Sequence, residues 1–176
     1  FKRIFLILFI FMLNQLVVAQ NVEFKSNNFK SDKKGLKSAQ KSIKIGDEFR
    51  QKVIDNIVKM QDSREEAEHA LLHYQKAYSF NANNADLNYK IASVLLFTNK
   101  KEYSKKYFDK AITLSDALPD DFYFYQGMIL QLEGEYTQAI ESYENFITKS
   151  KNKIVEQYDI LVRKYISECT TAPEIL

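Results

Sequence analysis

Small and apolar residues recur along the chain at a spacing that predicts paired helices. Within residues 85–118, one face of each of two predicted helices is marked by Ile91, Ala92, Leu95, Ser104, Phe108 and Ala111. The polar residues 98–101 separate the two helices. The pattern therefore predicts a helix-turn-helix hairpin that occupies 34 residues.

The same pattern occurs on both sides of this hairpin. Positions 34 residues earlier hold Ala70, Tyr74 and Ala77, and positions 35 residues later hold Gly127, Leu130, Ala139, Tyr143 and Phe146. We predict repeats over residues 51–84, 85–118 and 120–153, followed by a capping helix over 154–169. The whole helical domain is expected to span residues 35–170, with a first helix that begins near Leu36.

The third predicted repeat contains the fullest motif, FYQGMILQLEGEYTQAIESYENFI. In it, Gly127 stands where two helices touch, and Gly134 and Glu135 form a turn pair before Tyr136. This motif resembles the tetratricopeptide repeat family. The resemblance implies an all-α, helix-turn-helix solenoid of about three repeats plus a C-terminal capping helix. The first repeat departs from the family pattern, because Val58 stands where a Gly or Ala is usual.

The amino terminus has the pattern of a secretory signal peptide. Lys2 and Arg3 precede an apolar run over residues 4–13, and small residues end at Ala19. A membrane-spanning helix is the alternative, but it would need about 20 apolar residues. We predict removal of residues 1–19 and export to the periplasm or the outer membrane. The sequence begins with Phe rather than Met, so the natural chain is open to extension at both ends. Residues 171–176 are interpreted as a tail or as the start of a further region.

Residues 20–34 are polar and Lys-rich and show no period, which predicts a disordered leader. A solvated leader is the preferred interpretation, and contact with a membrane surface or an anionic polymer is the alternative. Cleavage after Ala19 would remove two of the 25 basic residues and leave 23 against 23 acidic ones. A net charge of zero gives no basis for nucleic acid as a partner.

Two histidines give the one arrangement that suggests metal chemistry. His69 and His73 lie four residues apart with Glu65 one turn earlier, which would place a carboxylate and two imidazoles on one helical face. Ala70 follows the first histidine where a metalloprotease has Glu, and helix packing explains the spacing. The lone Cys169 is read either as a buried apolar side chain or as the partner of a cysteine beyond residue 176. No phosphate loop or nucleophile motif occurs, so we expect no enzyme activity, no cofactor and no metal.

The resemblance implies that the first helices of the hairpins line a concave groove that binds partner segments. The expected partner-binding residues are Lys59, Asp86, Tyr89, Ser93, Leu96, Phe124, Met128 and Gln131. Tyr89, Phe124 and Met128 are expected to be exposed anchors, of the kind that dominates interface energy. The alternative is that they pack against a neighbouring helix.

Three short strings, KIGDEF, NADLNYKIASVLL and SEC, give a second resemblance. They are similar to the amino-terminal repeat region of exported Bacteroidetes envelope proteins that continue into a β-propeller and a peptidoglycan-binding domain of the outer-membrane-protein-A type. This resemblance implies a non-catalytic scaffold of the cell envelope that binds a protein partner. The assembly would be associated with the outer membrane or with peptidoglycan, and the resemblance does not imply a particular oligomeric state. The alternative function is a metal-binding protein or enzyme built around Glu65, His69 and His73.

Overall fold

The structure is a computed structural model that describes residues 20–117 and 119–172. Within these residues the elements are α1 (Lys33–Ile57), α2 (Arg64–Phe80), α3 (Ala85–Leu95), a 3₁₀ turn (Lys101–Tyr103), α4 (Ser104–Leu114), α5 (Phe122–Leu132), α6 (Tyr136–Lys149) and α7 (Asn152–Thr171). This part of the chain has no strand, which confirms the predicted all-α class. The predicted signal peptide and most of the predicted tail lie outside the described residues.

The helices pack as successive hairpins. The pairs α1–α2, α3–α4 and α5–α6 have the most extensive contacts, and α2 also packs on α3 and α6 on α7. The second and third hairpins meet through aromatic rings, because Phe108 of α4 stacks on Phe122 of α5 with ring centroids 4.8 Å apart. The core therefore runs continuously from hairpin to hairpin.

The periodic small and aromatic positions form this core. The buried positions include Ala70, Tyr74, Ala77, Ala92, Phe108, Ala111, Gly127, Ala139, Tyr143 and Phe146. Gly127 has a steric reason to lack a side chain, since an added Cβ would come within 2.5 Å of the Tyr143 ring. The helical period thus identified the buried faces correctly.

The first hairpin differs from the predicted repeat over residues 51–84. Helix α1 is continuous from Lys33 to Ile57, so the predicted boundary falls inside it. The ring of Tyr74 packs against Gly46, where an added Cβ would also come within 2.5 Å of the ring, as in the Gly127 contact. Val58 lies just beyond the end of α1. Gly46 therefore occupies the position at which a small residue faces the partner helix. A search at a constant 34-residue period places that position at Val58 instead, because α1 continues about three turns past Gly46 before the chain turns back.

Residues 20–32 are ordered, in contrast to the disordered leader that their composition predicts. The Val22 amide donates to the Asn83 carbonyl at 2.6 Å, and the Val22 carbonyl accepts from Asn81 Nδ2 at 2.7 Å. Phe29 lies 4.7 Å from the ring of Phe80 in α2. The polar composition of the segment did not predict this packing. Main-chain groups form the polar contacts, and these are independent of side-chain composition, while a few phenylalanines form the apolar contacts.

Candidate functional site

One partly buried charge links α1, α3 and the start of α5. Arg50 of α1 forms an ion pair with Asp121, which lies just before α5, at a distance of 2.8 Å between Nη2 and Oδ2. Its Nε donates to Ser93 Oγ of α3 at 2.9 Å. The Tyr89 hydroxyl donates to the other Asp121 oxygen at 2.7 Å. All three hairpins therefore meet at Arg50.

Aromatic rings surround this ion pair. The Arg50 guanidinium carbon lies 5.7 Å from the Tyr125 ring centroid, within range of a cation–π contact. Burial disfavours the charged form of Arg50, but Tyr125 and Asp121 beside it hold its pKa well above the usual value. Burial also raises the pKa of Tyr125 to about 12. Arg50 and Tyr125 do not titrate near neutral pH, so the cluster suits a structural role better than acid–base catalysis.

The structure corrects the prediction that Tyr89 and Phe124 are exposed anchors. Tyr89 is 5% exposed, Ser93 2% and Phe124 0%. Phe124 is covered by α7, whose Tyr158 ring lies 4.6 Å away. The prediction of exposure is wrong for these residues because the capping helix and the Arg50 cluster fill the face that was expected to be open.

The other predicted groove residues separate into two groups. Lys59 and Asp86 are exposed, and Asp86 forms an ion pair with Lys90 at 2.9 Å. Leu96, Met128 and Gln131 are partly buried and line an open cleft. The predicted groove residues that line this open cleft are therefore Leu96, Met128 and Gln131, whereas Lys59 and Asp86 lie outside it.

We call this opening the turn-end cleft. It consists of two adjoining cavities, of about 520 and 290 Å³, which share Leu96, Lys101 and Tyr165. The turns that close the first two hairpins, the end of α5 and the second half of α7 form its walls. Its volume lies within the range of about 300 to 1,000 Å³ that is typical of ligand-binding clefts.

The walls of the turn-end cleft combine apolar, cationic and acidic groups, the last supplied by Asp62. Met60 is 55% exposed and has a φ of 54°, a left-handed conformation that is uncommon for a residue with a side chain. Lys164 pairs with Glu168 at 3.7 Å, whereas Arg64 and Lys101 form no ion pair within the described part of the chain. Sequence reasoning missed Met60, Arg64 and Lys101, because only the fold brings the turns together.

The histidine pair has a packing role. The Phe49 ring stacks on His69 with centroids 4.9 Å apart and on His73 at 6.2 Å. His69 Nε2 lies 3.9 Å from Glu65 Oε1, and burial lowers the pKa of His73. In residues 20–117 and 119–172, no three His, Cys, Asp or Glu side chains form a group able to hold a metal ion. The stacked geometry thus gives both imidazoles a packing contact, and His73 Nδ1 is buried with no hydrogen-bond partner among the described residues.

Cys169 is 1% exposed on α7, and burial raises the pKa of its thiol. This favours the interpretation as a buried apolar side chain, because a reactive thiol needs exposure and a lowered pKa.

Each helix in residues 20–117 and 119–172 is too short or too polar to cross a lipid bilayer. Comparisons of the chain with protein-family models, with curated proteins and with solved structures found no match.

Proposed function

We propose that this protein is a non-catalytic interaction scaffold of the cell envelope, built on tetratricopeptide-type hairpins, that binds a segment of a partner protein in the turn-end cleft. The observation that carries the proposal is the cleft itself, where exposed Met60 and partly buried Leu96 lie beside the cations Arg64 and Lys101. The signal-peptide pattern of residues 1–19 supports the envelope location.

The chemistry of the cleft favours a segment with both apolar and acidic side chains. Methionine adapts its shape to different apolar surfaces, which suits Met60 and Met128 for contact with a partner. Arg64 and Lys101 would attract carboxylates, and an Arg can hold one with two hydrogen bonds. The buried Arg50 cluster contributes rigidity, since it fixes the hairpins whose turns form the cleft walls.

Site-specific photo-crosslinking in the cell envelope tests this proposal. A photoreactive phenylalanine analogue at Met60 or at Leu132, both exposed at the cleft, should form a discrete crosslink to a partner protein. The matched control is Ile160 on α7, which is 64% exposed and lies outside the cleft. Sequencing of the crosslinked peptide would identify the bound segment.

A charge reversal sharpens the experiment. Lys101→Glu should weaken the Met60 crosslink, because the substitution places a carboxylate opposite the acidic segment expected there, while circular dichroism stays unchanged. Equal crosslinking from Met60 and Ile160, or a crosslink that survives Lys101→Glu at full strength, would argue against this cleft as the binding site.

A further inference from the structure

A second surface, remote from the turn-end cleft, lies on the first half of α1. We call it the basic face and define it as Lys33, Lys34, Lys37, Lys41 and Lys44. All five side chains are exposed, and none forms an ion pair within the described residues. No acidic residue occurs between positions 33 and 46. None of these five positive charges is therefore neutralised by an ion pair with a described residue.

The basic face is narrow and continuous. At 3.6 residues per turn its five lysines fall within an arc of about 100° and extend over about 16 Å of helix. The buried side of the same stretch, which includes Leu36, Ala39 and Gly46, lies opposite. The face has no apolar residue on its arc, and no cavity described above is lined by its lysines.

This arrangement works against the stability of the helix that bears it. Lys33 and Lys37, and Lys37 and Lys41, are like charges one turn apart, which repel each other. Lys33 and Lys34 also lie in the first turn, which contains no acidic residue and where the helix dipole disfavours cations. In this first turn the Asp32 cap, which accepts from the Gly35 amide at 2.8 Å, offsets part of the charge. Nothing in the packing requires five lysines here, so the face is better explained by an external anion.

We propose that the basic face binds the anionic headgroups of a phospholipid bilayer surface. The exposed face of a single helix fits an extended layer of negative charge better than a compact ligand. Lysine acts as a point charge and does not supply the bidentate recognition that arginine gives, which suits headgroups that present no fixed geometry. The face also lacks the aromatic groups on which unpaired nucleotide bases stack. The attachment is electrostatic and does not involve insertion.

Vesicle flotation with the purified protein tests the proposal. The protein should float with vesicles of phosphatidylcholine and phosphatidylglycerol in equal parts, and not with phosphatidylcholine alone. Binding should be strong in about 0.01 M salt, where the Debye length is about 30 Å, and lost in about 1 M salt, where it is about 3 Å. Since each lysine near an anionic surface contributes roughly fivefold to partitioning, Lys37→Gln with Lys41→Gln should weaken binding by about 25-fold.

The matched control removes the same charge elsewhere. Lys76→Gln with Lys153→Gln changes two exposed lysines outside the basic face that form no ion pair with residues 20–117 or 119–172, and it should leave most of the binding intact. Equal losses in the two double variants would overturn the proposal, because net charge alone would then explain binding. Equal flotation with both vesicle types, or tighter binding to a DNA duplex than to the anionic vesicles at the same salt, would also overturn it.

Discussion

At the scale of single residues, Arg50 has the most far-reaching contacts. Its side chain bonds to Ser93 and Asp121, which are 43 and 71 positions away in sequence. A charge on the apolar side of a helix is costly unless it is paired, so each partner is needed by the other. An arginine at a core position of the α1 helical period is a sequence signal that could have pointed to such a cluster.

Arg50→Met should destabilise the protein by about 2 to 3 kcal/mol, because it preserves much of the side-chain volume but leaves the partly buried Asp121 carboxylate without its cation. Urea titration followed by circular dichroism measures the free energy of unfolding. The control is Arg163→Met, since Arg163 pairs with Asp159 on the exposed surface of α7 and should change stability little. Similar midpoints for the two variants would show that the Arg50 pair does not hold the hairpins together.

At the scale of elements, the contact between Gly46 and Tyr74 decides how α1 packs on α2. Gly46→Ala should destabilise the protein by about 1 to 3 kcal/mol, because the added methyl group must displace the Tyr74 ring. In an exposed helix the same substitution would stabilise by about 1 kcal/mol, so the sign of the change is diagnostic. Ser38→Ala, at an exposed position of α1, is the control for denaturant titrations. A more stable Gly46→Ala protein would contradict the packing of Tyr74 on this glycine.

The ordered segment 20–32 is the second element with a testable contact. The Val22 amide should be protected from hydrogen exchange, because it is bonded to the Asn83 carbonyl. Phe29→Ala should accelerate its exchange, since the Phe29 ring anchors the segment to Phe80. Exchange measured by NMR on the parent, on Phe29→Ala and on the exposed control Asn27→Ala checks this expectation. If the Val22 amide of the parent protein exchanged at the rate of an unstructured peptide, the prediction of a disordered leader would be correct.

At the scale of the whole molecule, buried tyrosines make the fold sensitive to alkali. Burial raises the pKa of Tyr125 and of Tyr165 to about 12 each, and it raises those of Tyr74, Tyr143 and Tyr158 further. Burial also raises the pKa of Tyr89 well above its usual value. An unfolded tyrosine has a pKa of about 10. Because the folded state holds these protons more tightly, their contribution to stability is fully present below pH 10 and is lost as the pH rises towards 12 and beyond.

We therefore expect cooperative unfolding above about pH 10, with tyrosinate absorbance and loss of helical circular dichroism changing together. Ionisation of the buried tyrosines without loss of helix would contradict the burial that the structure shows. A titration in about 1 M salt is the control, because screening reduces the general repulsion between surface charges and leaves the desolvation of buried phenols in place.

The sequence by itself determined the helical class and most of the core. Apolar spacing at the helical period identifies buried residues such as Ala77, Ala92 and Tyr143 because it reflects local geometry that each helix carries alone. It also located α3 to α6 closely, where short connections keep a nearly constant repeat. It did not locate the start of the first hairpin, because α1 contains additional helical turns after Gly46 that a search at a constant period does not detect.

Only the tertiary structure decided which surfaces are open. Tyr89 and Phe124 lie at positions that a groove would expose, yet α7 and the Arg50 cluster cover them, and no local pattern encodes a contact between residues more than 30 positions apart. The same packing brings separate turns together to form the turn-end cleft. It also fixes the lysines of α1 as one continuous face, because Leu36 and Ala39 hold the opposite side of that helix in the core.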